Sequence, residues 1–406
     1  MIKNKLMSCR SEEQVVLRRM RDCLKFLTVT FAIANFQMAC AEPAGTDSTA
    51  QPGKRWIYSP VEYWQSYSQS GSNGVHKFIE SDHAFKIKKL RPPEKDFRTG
   101  YAFIYNGMLF FEDRANDKSY KQNWLGTYNT VKTQPRKTYR AAGYIFHFTY
   151  YSDFMSACPL SHDSECKIIK FHPATFPYVF AKKEGAVISI TNYGDALLFK
   201  DGNWCRMSMH DEVYSCTDPE ATPLTAPRKI QFYSSINYRG RVLLGEWPTG
   251  RLYEFDGKEL KPSNMTPPEI AKLSDKRLGY EAQTMAEYCG DLFVGYWPKG
   301  EVWRYDHHAK EWQLFKRFFS EDKGETFIPH SDRVGDAFDS SFFGQRVTAM
   351  VPYKDALYIA TSNLNTWTSS KPAPATIDPS RVAEYGAIYK VTKPGCATSY
   401  DYAKKL

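Results

Sequence analysis

What the chain lacks narrows its function first. After residue 41 no stretch approaches the roughly 18 apolar residues that a membrane-spanning helix needs, so no membrane span is expected. A dense Lys/Arg block is missing as well, although the net charge is +9, and this argues against nucleic acid as a partner. Gly-rich phosphate loops, Gly-x-Ser-x-Gly and His-Glu-x-x-His are all absent. Their absence weakens nucleotide, esterase and zincin readings. Helical periodicity is scarce, whereas 27 Tyr and 26 Phe, with abundant Thr and Val, favour strands.

The N-terminus stands apart from the fold. Arg18, Arg19, Arg21 and Lys25 precede the apolar run from Phe26 to Ala34, and Ala39-Cys40-Ala41 follows. A basic region, a short apolar region and a small-residue ending describe a secretory signal peptide over 1–41. The expectation is a secreted or periplasmic protein with a flexible lead-in at 42–55 and a single domain at 56–406. Beyond residue 41 the cysteines are Cys158, Cys166, Cys205, Cys216, Cys289 and Cys396. An even number in an exported chain makes disulfides the default.

The chain then says nearly the same thing twice. Tyr238-Arg239-Gly240 opens a phrase that runs through Leu244-Gly245-Glu246-Trp247-Pro248-Thr249-Gly250. Tyr288-Cys289-Gly290 opens a second, through Val294-Gly295-Tyr296-Trp297-Pro298-Lys299-Gly300, 50 residues on with no gap. Each copy reads as strand, Gly turn, strand, Trp-Pro turn, strand, and an Asp-led hairpin at Asp256-Gly257 or Asp306-His307. Short hairpins at such a period are the signature of propeller blades. Weaker copies place six inner hairpins near Gly107, Gly143, Gly185, Gly240, Gly290 and Asp355. The expected fold is all-β, a β-propeller of seven blades with four antiparallel strands each. The missing unit is expected from 56–100 together with Ala387–Val391, which would close the ring and remove open sheet edges. Segments 112–141, 318–344 and 366–384 are read as long connectors.

Turn order also assigns the faces. Tyr-x-Gly turns join the first and second strands of each unit on one side. Turns from second to third strand, and the connectors between units, emerge on the other. Tyr193, Trp247, Trp297 and Asn363–Asn365 are therefore expected round one mouth.

Two units deliver polar groups towards that mouth. One strand reads Tyr144-Ile145-Phe146-His147-Phe148-Thr149-Tyr150, and the next unit brings Asn192-Tyr193 and Arg206. A histidine in such a strand is as often a satisfied core residue as a catalytic one. With an Arg and a Tyr nearby, another use opens. A cation or neutral donor neutralises a uronate carboxylate and acidifies the adjacent carbon, and a Tyr or His takes the proton. That is β-elimination.

On these residues, their order and the export signal, the chain resembles the secreted seven-bladed-propeller polysaccharide lyases that degrade ulvan. The resemblance covers about residues 56–395. It implies Tyr193 as base and acid, His147 as its assistant and Arg206 as the carboxylate clamp. The family's second histidine is replaced by Thr127, with Asn123 or Asn129 as substitutes. Asn129, Asn192, Tyr150, Trp247 and Trp297 are the expected substrate-binding residues, and the partner is an acidic polysaccharide met by a monomer.

Cys205, His210 and Cys216, with Asp211 between, suit a structural zinc ion. A Cys205–Cys216 disulfide is the equal alternative, and the resemblance implies a structural metal nearby. Cys158 and Cys166 flank His162 in a stretch that reads as a disulfide loop. His307-His308, in an outer hairpin, is expected to face solvent. A glycoside hydrolase would need paired carboxylates, for which Glu246, Asp332, Asp336 and Asp339 are candidates.

Overall fold

The computed structural model describes residues 57–402 except 66–71, 79–80, 91–98, 106–107, 114–117, 122–126, 130–136, 149–151, 162–164, 172–174, 219–229, 275–279, 319–344, 363–385 and 397. The chain divides into residues 1–49 and 50–406, and every described residue belongs to the second unit.

The first strands are β1 (Ile57–Gln65), β2 (Ser72–Phe78) and β3 (Lys86–Leu90). Antiparallel meanders then follow one another. The first is β4 (Thr99–Tyr105), β5 (Met108–Asp113), β6 (Lys118–Lys121) and β7 (Thr127–Asn129). The second is β8 (Lys137–Ala141), β9 (Tyr144–Phe148), β10 (Phe154–Pro159) and β11 (Lys167–Lys170). The third has five strands: β12 (Pro177–Lys183), β13 (Ala186–Thr191), β14 (Ala196–Lys200), β15 (Asn203–His210) and β16 (Val213–Asp218). The fourth is β17 (Gln231–Tyr238), β18 (Arg241–Trp247), β19 (Leu252–Phe255) and β20 (Leu260–Pro262), followed by helix α1 (Pro268–Ser274). The fifth is β21 (Glu281–Tyr288), β22 (Asp291–Trp297), β23 (Glu301–Asp306) and β24 (Glu311–Arg317). The sixth contains β25 (Arg346–Tyr353), β26 (Ala356–Ser362) and β27 (Ile388–Thr392), and takes β3 as its fourth strand. The last strand among the described residues is β28 (Thr398–Tyr402).

The fold is all-β and has the strand order of a propeller. First strands of successive units pack together, β12 on β17, β17 on β21, β21 on β25 and β25 on β4. Closure of first segment on last occurs as expected, with Lys86–Leu90 beside Ile388–Thr392. Seven four-stranded units were expected; among the described residues the early segment builds no unit of its own. Its β1 instead pairs with the first strand β17, Glu62 opposite Asn237, and β2 pairs in turn with β28. The segment 112–141, read as a connector, contains the end of β5 and all of β6, β7 and β8. Lys118-Ser-Tyr-Lys has no apolar alternation, so the pattern that reveals a strand is missing there.

The repeated phrase is explained residue by residue. The Tyr238 hydroxyl donates to the Gly290 carbonyl at 2.8 Å, and the Tyr288 hydroxyl to the Asp355 carbonyl at 2.7 Å. Each opening tyrosine therefore ties its own unit to the inner turn of the next. Arg239-Gly240 and Cys289-Gly290 both hold positive φ, as a two-residue hairpin turn demands. Gly245 and Gly295 are needed for close approach. A Cβ on Gly245 would lie 2.1 Å from the Ala282 carbonyl oxygen, and one on Gly295 would lie 2.7 Å from Val347 Cβ. Asp256 and Asp306 accept backbone N–H bonds from residues two and three ahead, which closes the outer hairpins.

Aromatic side chains fill the space between units. Phe180 of the third lies 5.1 Å from Tyr139 and 4.6 Å from Phe148 of the second, ring to ring. Such contacts add to the area term that dominates burial of large rings.

Candidate functional site

The expected sidedness of the turns holds in the strand order. Tight hairpins centred on Gly143, Gly185, Gly240, Gly290 and Lys354-Asp355 lie on one face. The ends of β13, β18, β22 and β26 and the starts of β12, β17, β21 and β25 lie on the other. At this mouth the first strands share a feature that the sequence did not reveal. Register shifts occur between Pro177 and Val179, Phe232 and Ser234, Ala282 and Thr284, and Val347 and Ala349. Tyr178, Tyr233, Gln283 and Thr348 are the extra residues. A bulge re-aims a side chain and recurs where a sheet serves a site.

Tyr193 sits, half-buried, in the turn from Thr191 to Asp195. Its N–H donates to Thr191 Oγ1 at 3.4 Å, and the Asp195 N–H to the same oxygen at 3.0 Å. Asn192 is committed to scaffolding, because its Oδ1 accepts the Phe176 N–H at 3.0 Å. His147 is half-buried near the mouth end of β9, opposite Thr138 and Ser156. Tyr150 lies outside the described residues, as do Asn363–Asn365, Asp332, Asp336 and Asp339. Asn129 ends β7.

Arg206 does not occupy the position its expected role requires. It is 3% exposed. Its Nη1 donates to both carboxylate oxygens of Asp195 at 2.6 Å, and its Nη2 to the Lys170 carbonyl at 3.1 Å. The guanidinium thus ties the Tyr193 turn to the preceding unit, and a clamp on a bound uronate needs a cation facing the mouth.

By sequence, Cys205 and Cys216 are open to a zinc site or to a disulfide. Cys205 pairs with Cys216, Cys158 with Cys166 and Cys289 with Cys396 as disulfides. Oxidised sulfur offers no thiolate to a metal, and His210 is exposed beside Asp211. Asp291, Asp306 and His307 do converge. Arg304 donates to Asp291 at 3.1 Å and to Asp306 at 2.9 Å, while His307 Nδ1 lies 2.6 Å from Asp291. A guanidinium in the cluster supplies the positive charge that a cation would bring. His307, expected to face solvent, is buried by this network.

The repeated tryptophans differ in setting. Trp247 is half-buried, whereas Trp297 is buried with the Arg346 guanidinium 5.9 Å from its ring centre. Three consecutive units bring Tyr233, Glu281 and Arg346 together here. Arg346 Nη2 lies 3.5 Å from Glu281. Burial pushes the Glu281 carboxyl up to about 7, opposed by Arg346 and by a hydrogen bond with Tyr233. On the opposite, hairpin face a cavity of about 310 Å³ lies among Lys182, Lys183, Gly185, Asn237 and Gly240.

Glu246, a candidate acid for sugar hydrolysis, holds its own turn instead. It accepts the Thr249 hydroxyl and, at 3.2 Å, the Thr249 N–H. Burial raises its pKa from 4.5 to about 7, against the lowering effect of those bonds. The folded state therefore keeps the proton that the unfolded chain releases. Stability from this group is complete below about 4.5 and is lost as pH rises to about 7. The Glu246→Gln variant should gain on the parent by about 3 kcal/mol across that window. Denaturant unfolding of both proteins at the two ends of the window measures it, and a pH-independent difference would refute it.

No family model and no curated protein matches the chain. Solved structures do. A catalytically inactive virginiamycin B lyase from Staphylococcus aureus is 10% identical with a TM-score of 0.35, covering 83% of this chain and 99% of that one. BamB from Moraxella catarrhalis is 9% identical with a TM-score of 0.30, covering 83% and 100%. The WD40 β-propeller domain of Doa1 is 8% identical with a TM-score of 0.31, covering 77% and 98%. At these values the likenesses say nothing about activity, and the propeller architecture rests on the strand order itself.

Proposed function

We propose that the protein is exported and acts on an acidic, uronic-acid-containing polysaccharide, ulvan-like in its finer form, at the mouth that carries Tyr193. The reaction is β-elimination. The observation that supports it is the set of half-buried rings at this mouth, Phe176, Tyr193 and Trp247. Their partly open faces suit stacking against sugar rings, and His147 stands half-buried on the neighbouring unit. Three disulfides support an oxidising compartment.

In this scheme the Tyr193 oxygen removes the proton from the carbon beside the uronate carboxylate. The carbon–oxygen bond to the departing sugar breaks, a carbon–carbon double bond forms, and the proton passes to the leaving oxygen. His147 assists the proton transfer. Because Arg206 is held by Asp195, the carboxylate is neutralised by another cation. Half-buried Lys299, in the Trp297–Gly300 turn, is the candidate from this mouth.

The test is ultraviolet absorbance of unsaturated uronide from a panel of uronic-acid polysaccharides. Tyr193→Phe should cut turnover by about 10²–10⁴-fold while binding persists. A folded sample that yields no absorbance on any of them ends the lyase reading. The closed state of Arg206 favours one rival, a propeller that binds glycan without cleaving it. Retention on immobilised polysaccharide with no product would select that rival.

A further inference from the structure

The internal repeat places one strand position in three different settings. The pairs Gly245–Leu252, Gly295–Val302 and Ala360–Ile388 are equivalent across units, so Glu254, Arg304 and Lys390 occupy the same place on the third strand. In the fourth unit Glu254 stands opposite Lys261, and Arg241, which opens β18, forms an ion pair with it. In the fifth unit Arg304 stands opposite the neutral Gln313 and donates to Asp291, which opens β22. Each charge there meets its opposite inside the unit.

The sixth unit departs from this arrangement. The residue that opens β26 is Ala356, which carries no charge. Opposite Lys390 stands Lys88 of β3, a second cation. Lys86 lies two residues away on the same face of β3, and Lys89 lies on the other. Lys86, Lys88 and Lys89 are exposed and form no ion pair among the described residues. Asp355 comes within 3.7 Å of Lys390 and is itself 70% exposed, a weak counterweight to four lysines.

Edge protection explains only part of this. β3 is the outer strand of its sheet, and lysines there discourage pairing with another chain. Lys390 lies one strand further in, where it blocks no edge. Like charges directly opposite each other cost stability, and protecting an edge does not require them. The strand is also anchored at its start, since Phe85 packs against Phe293 and Phe315 of the fifth unit at 5.7 and 5.5 Å, ring to ring.

The layout of the charges indicates what would relieve the repulsion. Side chains opposite each other stand about 5 Å apart and diagonal ones about 7–8 Å, so the lysines form a row longer than one small anion. Such a row complements a linear chain that repeats its negative charge. Three disulfides favour an oxidising compartment, which favours an acidic polysaccharide over nucleic acid as that chain.

We propose that Lys86, Lys88, Lys89 and Lys390 form a docking surface for an acidic polysaccharide on the edge of the sixth unit, additional to the mouth. The identity of the occupant rests on the acidic-polysaccharide reading above; the surface needs no chemistry at Tyr193.

The full-length mature protein is applied to immobilised polyglucuronate, dextran sulfate and neutral dextran, and to a polythymidylate oligonucleotide. The parent should be retained on the two acidic polysaccharides and not on dextran, with retention falling as salt rises. Lys86→Gln/Lys88→Gln/Lys390→Gln should weaken retention about 10-fold, the effect of three exposed ion contacts. Arginine at the same three positions should preserve it. Lys200→Gln/Lys258→Gln/Lys272→Gln removes the same charge from exposed sites elsewhere and should bind like the parent. The thermal midpoint of the first glutamine variant should not fall at low salt, because an opposed pair of cations is gone; this separates lost binding from lost folding. The proposal is overturned if the parent is retained on neither acidic polysaccharide, if both glutamine variants weaken equally, or if neither weakens. Tighter binding of the oligonucleotide than of either polysaccharide also overturns it. Self-association of the first variant with unchanged retention assigns the lysines to edge protection alone. Cleavage together with retention indifferent to these lysines defeats the surface and leaves the proposed activity standing. Lysine-dependent retention with no product does the reverse.

Discussion

Replacing Cys289 and Cys396 together by alanine should lower the unfolding free energy by about 4–5 kcal/mol. The bridge spans a sequence separation of 107, and loop-closure entropy lost from the unfolded chain grows with the logarithm of that span. By the same relation the Cys158–Cys166 bridge, with a separation of 8, contributes only about 2–3 kcal/mol. Position adds to the contrast. Cys289 lies in the inner turn of the fifth unit, and Cys396 follows the β27 strand against which β3 closes the sixth. Both are buried, so their loss also removes packing beside Tyr288. Cys289 has a φ of 53°, a strain that alanine shares and that therefore cancels in the comparison. Guanidinium unfolding of the double variant against the parent provides the measurement. A loss below about 1 kcal/mol would show that the unfolded chain is already compact across this span.

That bridge illustrates what the amino-acid order reveals and what it hides. Tyr238 and Tyr288 are legible because each unit must make the same bond to its neighbour, so the same residue recurs at the same offset. Gly245 and Gly295 are legible for a similar reason, since a neighbouring strand passes too close for any Cβ. The five described inner hairpins at Gly143, Gly185, Gly240, Gly290 and Asp355, the closure by first and last segments and the sidedness of the turns all follow from this local chemistry, while the expected turn at Gly107 lies outside the described residues. Features with partners elsewhere do not recur and leave no periodic trace. Lys118–Lys121 is a strand because β5 lies beside it, not because of its own pattern. His307 reads as a surface residue until Asp291, sixteen positions away, is seen to hold it. The bulges at Tyr233 and Gln283 need the register of two strands, and the Glu281–Arg346 contact spans 65 positions. At the candidate site the sequence located the mouth and the half-buried Tyr193, but it could not tell a cation that faces a ligand from one already spent on a carboxylate.

Arg206 makes that distinction measurable. Asp195→Ala should cost about 3–5 kcal/mol, because it leaves a guanidinium stranded in a site with 3% exposure. Removing both partners in Arg206→Met/Asp195→Ala should cost clearly less than the sum of the single changes, since no uncompensated charge remains. The single change Arg206→Met should also release the Lys170 carbonyl and loosen the contact between the second and third units. These effects concern folding, and they are read from denaturant unfolding without any substrate. A clamp that touches a uronate would behave otherwise. Its loss would leave stability nearly unchanged and would raise KM or lower kcat on an acidic polysaccharide. Stability and turnover of the same variants therefore decide between the two roles. Because the pair also pins the turn that carries Tyr193, Asp195→Asn should preserve more of the turn than Asp195→Ala. Any activity that depends on Tyr193 should then fall in the same order, asparagine before alanine, in step with the loss of stability.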